Sequence, residues 1–536
     1  MSRFDQRLRS WAKTTSTRVR RAQRRSSHWV RDRLPDHLRR PYEIVDTFDA
    51  HAYLAGLVDD VSAVLKRHGV EHLILDQRML PQPRVAIRRH DAAEAMRALA
   101  ADETTRRWWA ARTELGIVGV PIPLDWWAVP RVGVSAILLG RNLVTPSGAA
   151  LTDSETGILL ELWAYEPTPT PASGGGIHEA GTVHAPGHNG VLDYAGPTLW
   201  EQVQRNGHRL PQQPHHLLQL AEPVDLVYTW VDGNDPGWLR RKAAALGTHD
   251  PTGVSIDAEI AARFENRDEL RYSLRSVQMF ANWARRIWIV TDQQVPAWLR
   301  ADERLRVVDH REIFADPSVL PVYNSHAIES QLHHIPGLAE HYLYLNDDML
   351  FGARVQPEDF FHGNGISKFF TSPALLDIGG HHPSDLAVAA AAKNNRDLIE
   401  AEFGRTIVHK LRHTPQPQVR SVIEGFEAAH PDLFDSVMRS RLRNASNYSL
   451  TSSLSQYYAF AISRAVPGRI NYGYVDLATD RPETTLERWL ARRRLLTFCI
   501  NDSGKDDDPG RTRKQAALRD FFEEYFPLPS RWEIET

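Results

Sequence analysis

Four segments of the chain read as apolar strands that each run directly into an aspartate. They are 224–232 (VDLVYTWVD), 286–292 (RIWIVTD), 305–309 (LRVVD) and 341–348 (HYLYLNDD). Open α/β sheets bind ligands outside the carboxyl ends of their strands. Acid-tipped strands that share a sheet would therefore line one rim with carboxylates, a setting suited to a divalent cation that holds phosphates. The centre of the chain thus reads as a metal- and phosphate-handling α/β enzyme.

At 536 residues the chain is too long for one ordinary core, so two or three domains are expected. Its 42% hydrophobic and 24% charged residues fit a globular protein, and a net charge of −3 gives no case for a nucleic-acid partner. Residues 1–40 are Arg-rich, with Trp11, Trp29, Val30 and Leu34 among the charges. This arm reads either as a solvated tail or as an interfacial helix that meets anionic lipid through its arginines. One cysteine, Cys499, excludes an intrachain disulfide and fits a reducing compartment. The basic start lacks an apolar h-region, and no apolar run approaches the ~20 residues that cross a bilayer. A cytoplasmic protein, peripheral at the inner face of the membrane, is expected.

Beyond the arm (1–44), residues 45–165 read as a small α/β domain, with a helix over 50–68 carried by Leu54, Leu57, Val58, Val61 and Leu65. Residues 166–222 are rich in Pro, Gly and His and read as a linker or long surface loop. The catalytic domain is expected over 223–536, with a mostly helical insert at about 381–465.

Within that domain, YTWVDGNDPGW breaks a strand at a tight turn. Asp232, Asn234 and Asp235 lie between two tryptophans there. Trp230 could stack on a base, and Asp232 could reach ribose or metal. The helix over 268–283 puts Arg271 and Arg275 one turn apart, either solvated or forked onto a diphosphate. In YLYLNDDML, Asn346 precedes Asp347 and Asp348, adjacent acids whose repulsion a metal would relieve. Upstream, NSHAIESQLHHIPG carries Glu329 on a short helix; His326, His333 and His334 show no zinc-site spacing. His413 stands in an HTP turn, where a histidine suits a general base.

Taken in order, YTWVDGNDPGW, ENRDELRYSLRSV, YNSHAIESQLHHIPGL with YLYLNDDMLF, RHTPQPQVRSV with RLRNAS, and FCIND resemble the four conserved regions of the Stealth family of sugar-phosphate transferases. The resemblance spans about residues 222–502 and is greatest to actinobacterial exopolysaccharide phosphotransferases. It implies a Rossmann-like or GT-A-like, mainly parallel sheet with a helical C-terminal part. It also implies transfer of a sugar-1-phosphate from a nucleotide sugar, a UDP-sugar being expected, to a hydroxyl of an acceptor glycan in capsule or exopolysaccharide synthesis. The family's catalytic positions fall on Glu329, Asp348, His413 and Arg443. Donor contacts are expected from Trp230, Asp232, Asn234, Asp235, Arg271, Arg275 and Asn346. A Mg²⁺ or Mn²⁺ is expected on Asp232, Asp347 and Asp348. Two other readings fit the same acidic rim: a metal-dependent GT-A-like glycosyltransferase, and an inactive glycan-binding or scaffold protein.

Overall fold

The computed structural model describes residues 42–534 except 79, 115–116, 119–120, 125–133, 154–155, 173–174, 212–215, 248–264, 383 and 504–509. The basic arm lies outside the described residues. The chain divides into two compact units, 1–216 and 217–536.

In the first unit, the helix Ala50–Arg67 starts where the Asp49 carboxylate accepts from the His51 and Ala52 amides, and it buries the predicted leucine–valine stripe. It packs on a mixed sheet that has nine strands among the described residues. The 166–222 stretch corrects the linker expectation. Thr182–His184 and Tyr194–Ala195 extend that sheet, and the helix Pro197–Arg205 buries Trp200 and Val203. Its apolar residues are few and separated by turn residues, so no period of 2 or 3.6 shows in the sequence.

The second unit holds the acid-tipped strands. In chain order these are β1 (Val224–Thr229), helix α1 (Pro236–Gly247), helix α2 (Glu269–Phe280), β2 (Ile287–Thr291), β3 (Leu305–Asp309), helix α3 (Ser325–Glu329) and β4 (His341–Asn346). There follow β5 (Met349–Phe351), β6 (Gln416–Val419), helix α4 (Arg420–Ala429), β7 (Tyr472–Asp476), β8 (Thr497–Asn501) and helix α5 (Arg511–Tyr525). The central sheet has the order β3-β2-β1-β4-β6. Its first four strands are mutually parallel and β6 is antiparallel to β4. Val227, Val290 and Val308 from three neighbouring strands are fully buried in one cluster with Tyr342 and Tyr344, each such side chain contributing about 1.5–3 kcal/mol. Asp225, fully buried, accepts from Arg285 Nε (2.9 Å), Trp288 Nε1 (2.9 Å) and the amides of Arg286 (3.1 Å) and Ala339 (2.9 Å). It fixes the amino ends of β1, β2 and β4 level with one another.

Two features of this topology build the site. Thr229 pairs with Val290 and Asn346, and Thr291 with Asp309, so the parallel strands end together on one rim. Because β6 runs antiparallel, Gln416 lies beside Tyr344 near the end of β4, and His413, three residues earlier, reaches the same rim. A strand therefore interrupts the 381–465 stretch that the sequence presents as helical. Pro417 between two glutamines, Gln416 and Gln418, hides it from a hydrophobic scan. Asp347 and Asp348 form the turn from β4 into β5, which belongs to a second sheet of order β5-β8-β7.

Candidate active site

A cavity of about 1040 Å³ opens at the carboxyl ends of the parallel strands. Trp230, Asp292, Asn346, Asp347, Asp348, His413 and Arg443 are among its walls. Its centre is the pair His413 and Asp348, with Nε2 and Oδ1 3.4 Å apart. Asn346 Nδ2 lies 3.3 Å from the same Nε2. Burial disfavours a charged His413, but the Asp348 carboxylate, and Glu329 behind it, more than offset burial and raise its pKa. A proton that reaches Nε2 is therefore held there by Asp348.

Glu329 is buried beneath the cavity wall on α3. Its Oε2 accepts from Ser452 Oγ at 2.8 Å, and its backbone carbonyl accepts from Thr451 Oγ1 at 2.7 Å. Burial raises its pKa, against the Ser452 hydrogen bond and the Arg443 charge. The Tyr344 hydroxyl, close to Glu329, donates to Asn346 Oδ1 at 2.7 Å. Glu329 therefore acts on His413 through its charge. Arg443 lines the cavity and donates from Nη2 to Ser325 Oγ at 2.7 Å. From there its charge faces both the cavity and Glu329.

A second group of charges closes the other side. Asp347 has its pKa pushed well above the ordinary carboxyl range, first by burial and then by the neighbouring Glu269 and Asp348 carboxylates. Glu269, at the start of α2, is raised by burial despite Arg267. Arg267 bonds to Asp502 Oδ2 at 2.6 Å, to Glu265, and to Glu269 at 3.5 Å. Sequence reasoning missed Glu265, Arg267, Glu269 and Asp502 as cavity residues. Glu265 and Arg267 precede α2, Glu269 lies on the expected helix but off its apolar stripe, and Asp502 approaches only when β8 joins β5. The strings ENRDEL and FCIND were the available signal.

Asp348, His413 and Cys499 each offer a ligand atom, all within 4.8 Å of one another. Asp348 Oδ1 is buried and, among the described residues, accepts no hydrogen bond, and Asp347 and Glu269 crowd like charge beside it. An unpaired oxygen among repelling carboxylates fits a hard divalent cation. Asp347 and Asp348 would hold it. Asp232 is not a wall of this cavity; its carboxylate accepts from the Asn234 amide in its own turn at 3.0 Å.

The remaining predicted donor contacts divide. Trp230 and Asn346 line the cavity; Asn234 and Asp235 do not. Asp235 accepts from Gln294 Nε2 (3.0 Å) and the Gly237 amide (2.8 Å), which hold its carboxyl below the usual range. Arg271 and Arg275 also lie off the cavity. Both bind Glu533, Arg271 from Nε at 2.6 Å and Arg275 from Nε and Nη2 at 2.7 Å. The helix face was read correctly, but its partner comes from the C-terminal segment, which no local pattern announces.

Stealth protein conserved regions 1 to 4 match residues 222–250, 263–369, 400–460 and 489–536, all within the second unit. Across most of its length the chain is 34% identical over 479 residues to the exopolysaccharide phosphotransferase CpsY of Mycobacterium tuberculosis H37Rv, covering 88% of this chain and 86% of that relative. The chain belongs to the Stealth family. The exopolysaccharide phosphotransferase SCO6023 of Streptomyces coelicolor is 49% identical over 315 residues, or 58% of this chain. The chain spans about half the length of that relative (52%). A solved structure of the galactosyltransferase LgtC with donor and acceptor sugar analogs matches with 11% identity and a TM-score of 0.29, covering 57% of this chain and 96% of that one. Glu329 and Asp348 fall in Stealth region 2, His413 and Arg443 in region 3, and Cys499 in region 4.

Proposed function

We propose that this Stealth protein transfers a sugar-1-phosphate from a nucleotide sugar to a hydroxyl of an acceptor glycan, forming a phosphodiester in exopolysaccharide or capsule synthesis. The observation that carries the reading is the meeting of His413, Asp348 and Arg443, from two separate conserved regions, around one cavity at the strand ends. The acceptor oxygen forms a bond to the sugar-bearing phosphorus, and the P–O bond to the nucleoside monophosphate breaks. Phosphoryl transfer needs chiefly positioning and charge neutralisation. A Mg²⁺ or Mn²⁺ on Asp347 and Asp348 would supply neutralisation of the diphosphate charge. Arg443 holds phosphate oxygens, and Trp230 offers a face to the base of a UDP-sugar. His413 Nε2 takes the hydroxyl proton, and Asp348 stabilises the resulting imidazolium. Asn346 orients His413, and Glu329, off the cavity, favours its protonated form through charge.

The mainly parallel sheet with its acidic rim suits a GT-A-like donor site, and the first unit is the candidate for acceptor positioning. Incubating the full chain with a panel of nucleotide sugars and identifying the released nucleotide tests the proposal. A nucleoside monophosphate supports phosphotransfer. Release of a diphosphate means cleavage of the sugar C–O bond by a glycosyltransferase. Binding without turnover across the panel would leave a glycan-binding or scaffold protein. Among the described residues no helix is long and apolar enough to cross a membrane. We place the protein at the cytoplasmic face of the membrane, held there peripherally by the 1–40 arm.

A further inference from the structure

We infer that Cys499 is a positioning residue for transfer: its thiol donates to Asp348 Oδ2 and so keeps Oδ1 turned toward His413 and the cavity. The inference rests on the phosphotransferase reading for its kinetic consequence, but not for its geometry. Met349, the residue after Asp348, is paired with Cys499 where β5 meets β8. Cys499 Sγ lies 3.2 Å from Asp348 Oδ2, and the Ile500 amide donates to the Asp348 carbonyl, also at 3.2 Å. A carboxylate oxygen has no proton to give, so the hydrogen in this contact belongs to sulfur. Oδ1, by contrast, has no hydrogen-bond partner among the described residues and faces His413 Nε2 at 3.4 Å. The thiol is thus the anchor on one oxygen that leaves the other free for chemistry.

A second contact on the same strand points the same way. Thr497, two residues before Cys499, bonds through its hydroxyl to Thr414 Oγ1 at 2.7 Å, and Thr414 follows His413 directly. One strand therefore grips both halves of the pair, Asp348 through Cys499 and the His413 turn through Thr497. A free cysteine is commonly a small space-filling apolar group. Here the fully buried sulfur lies against a carboxylate on the cavity rim. Groups of this kind, one step behind a ligand, set the direction of its lone pairs.

The chain has one cysteine, so its S–H stretching band in the infrared belongs to Cys499 alone. In the full-length protein the band should move to higher frequency in Asp348→Ala, where the acceptor is gone. An unmoved band overturns the inference. Cys499→Ser keeps a donor and Cys499→Ala removes it at nearly the same size. With the donor found by the nucleotide panel, Cys499→Ala should lose about tenfold in kcat with KM for the donor little changed, the low end of the range for such orienting groups. Cys499→Ser should recover most of that loss, and both variants should melt within a few degrees of the parent. Mn²⁺ affinity, read from the free-ion paramagnetic resonance signal, should weaken by about tenfold in Cys499→Ala and not in Cys499→Ser. Equal losses in both variants, or none in Cys499→Ala, would leave the thiol a packing group. If the parent protein turns over no nucleotide sugar, the phosphotransferase reading fails, while the infrared and Mn²⁺ measurements still decide the role of the thiol.

Discussion

Replacing Arg275 by alanine separates a structural arginine from a phosphate-binding one. Glu533 is buried, its side chain 2% exposed, and receives Arg275 Nε and Nη2 at 2.7 Å, Arg271 Nε at 2.6 Å and the Ser530 amide at 2.7 Å. Arg275 also donates to the Phe526 carbonyl at 3.1 Å, so it ties α2 to the C-terminal segment at two points. Leaving a buried charge without its partner costs about 3–5 kcal/mol. Arg271 and the Ser530 amide remain, which reduces the expected loss to roughly 2–3 kcal/mol on that same scale. For a unit of about 320 residues each kcal/mol is worth about 1.5 °C, so the melting temperature should fall by roughly 3–5 °C. Differential scanning calorimetry measures this, and donor KM should stay within about twofold. Burial would raise the Glu533 pKa, but its hydrogen bond and ion pair with Arg275 more than offset burial, and the group stays below its ordinary 4.5. Its contribution is therefore complete above about pH 4.5 and is lost as the pH falls through the lowered value. Arg275→Ala should show a shallower loss of stability in acid than the parent protein. Arg275→Met with Glu533→Leu should recover part of the stability, since a hydrophobic pair can replace a buried ion pair. An Arg275→Ala protein that melts normally but needs far more donor would refute this account and return Arg275 to the donor phosphates.

Further outcomes follow from the site. Asp348→Asn should abolish transfer with the melting temperature kept, and a chelator should do the same to the parent protein until Mg²⁺ or Mn²⁺ is restored; full activity after chelation removes the metal from the reading. His413→Ala should lower kcat by about 10²–10⁴-fold with donor binding retained. A rise confined to donor KM would instead make His413 a binding group. Asp225→Ala should destabilise the second unit by roughly 2–4 kcal/mol, because the Trp288 indole N–H and the Arg286 and Ala339 amides lose a buried acceptor; urea melts measure it, and a loss under 1 kcal/mol would contradict the fixing role. Deleting residues 1–40 should abolish salt-sensitive sedimentation with anionic vesicles and leave activity on a soluble acceptor unchanged, whereas equal sedimentation of both forms would show the arm to be a solvated tail.

What the sequence determined by itself is local. A strand is a short-range pattern, so the four acid-tipped runs were legible as β1 to β4, with their acids at the carboxyl ends. The helical period of Leu54, Leu57, Val58, Val61 and Leu65 was legible for the same reason. Family likeness supplied Glu329, Asp348, His413 and Arg443 as a set, without their arrangement. Only the tertiary structure decided that arrangement, because it depends on pairings between distant segments. The antiparallel docking of β6 carries His413 to the end of β4. The pairing of β8 with β5 sets Cys499 against Asp348. Glu533, 258 residues beyond Arg275, takes that arginine away from the phosphates. Asp232 and Asp235, each at a strand end by sequence, spend their carboxylates on their own turn and on Gln294. Local sequence fixes which residues stand at a strand tip, whereas the partner each carboxylate or guanidinium finds depends on which distant segment folds against it.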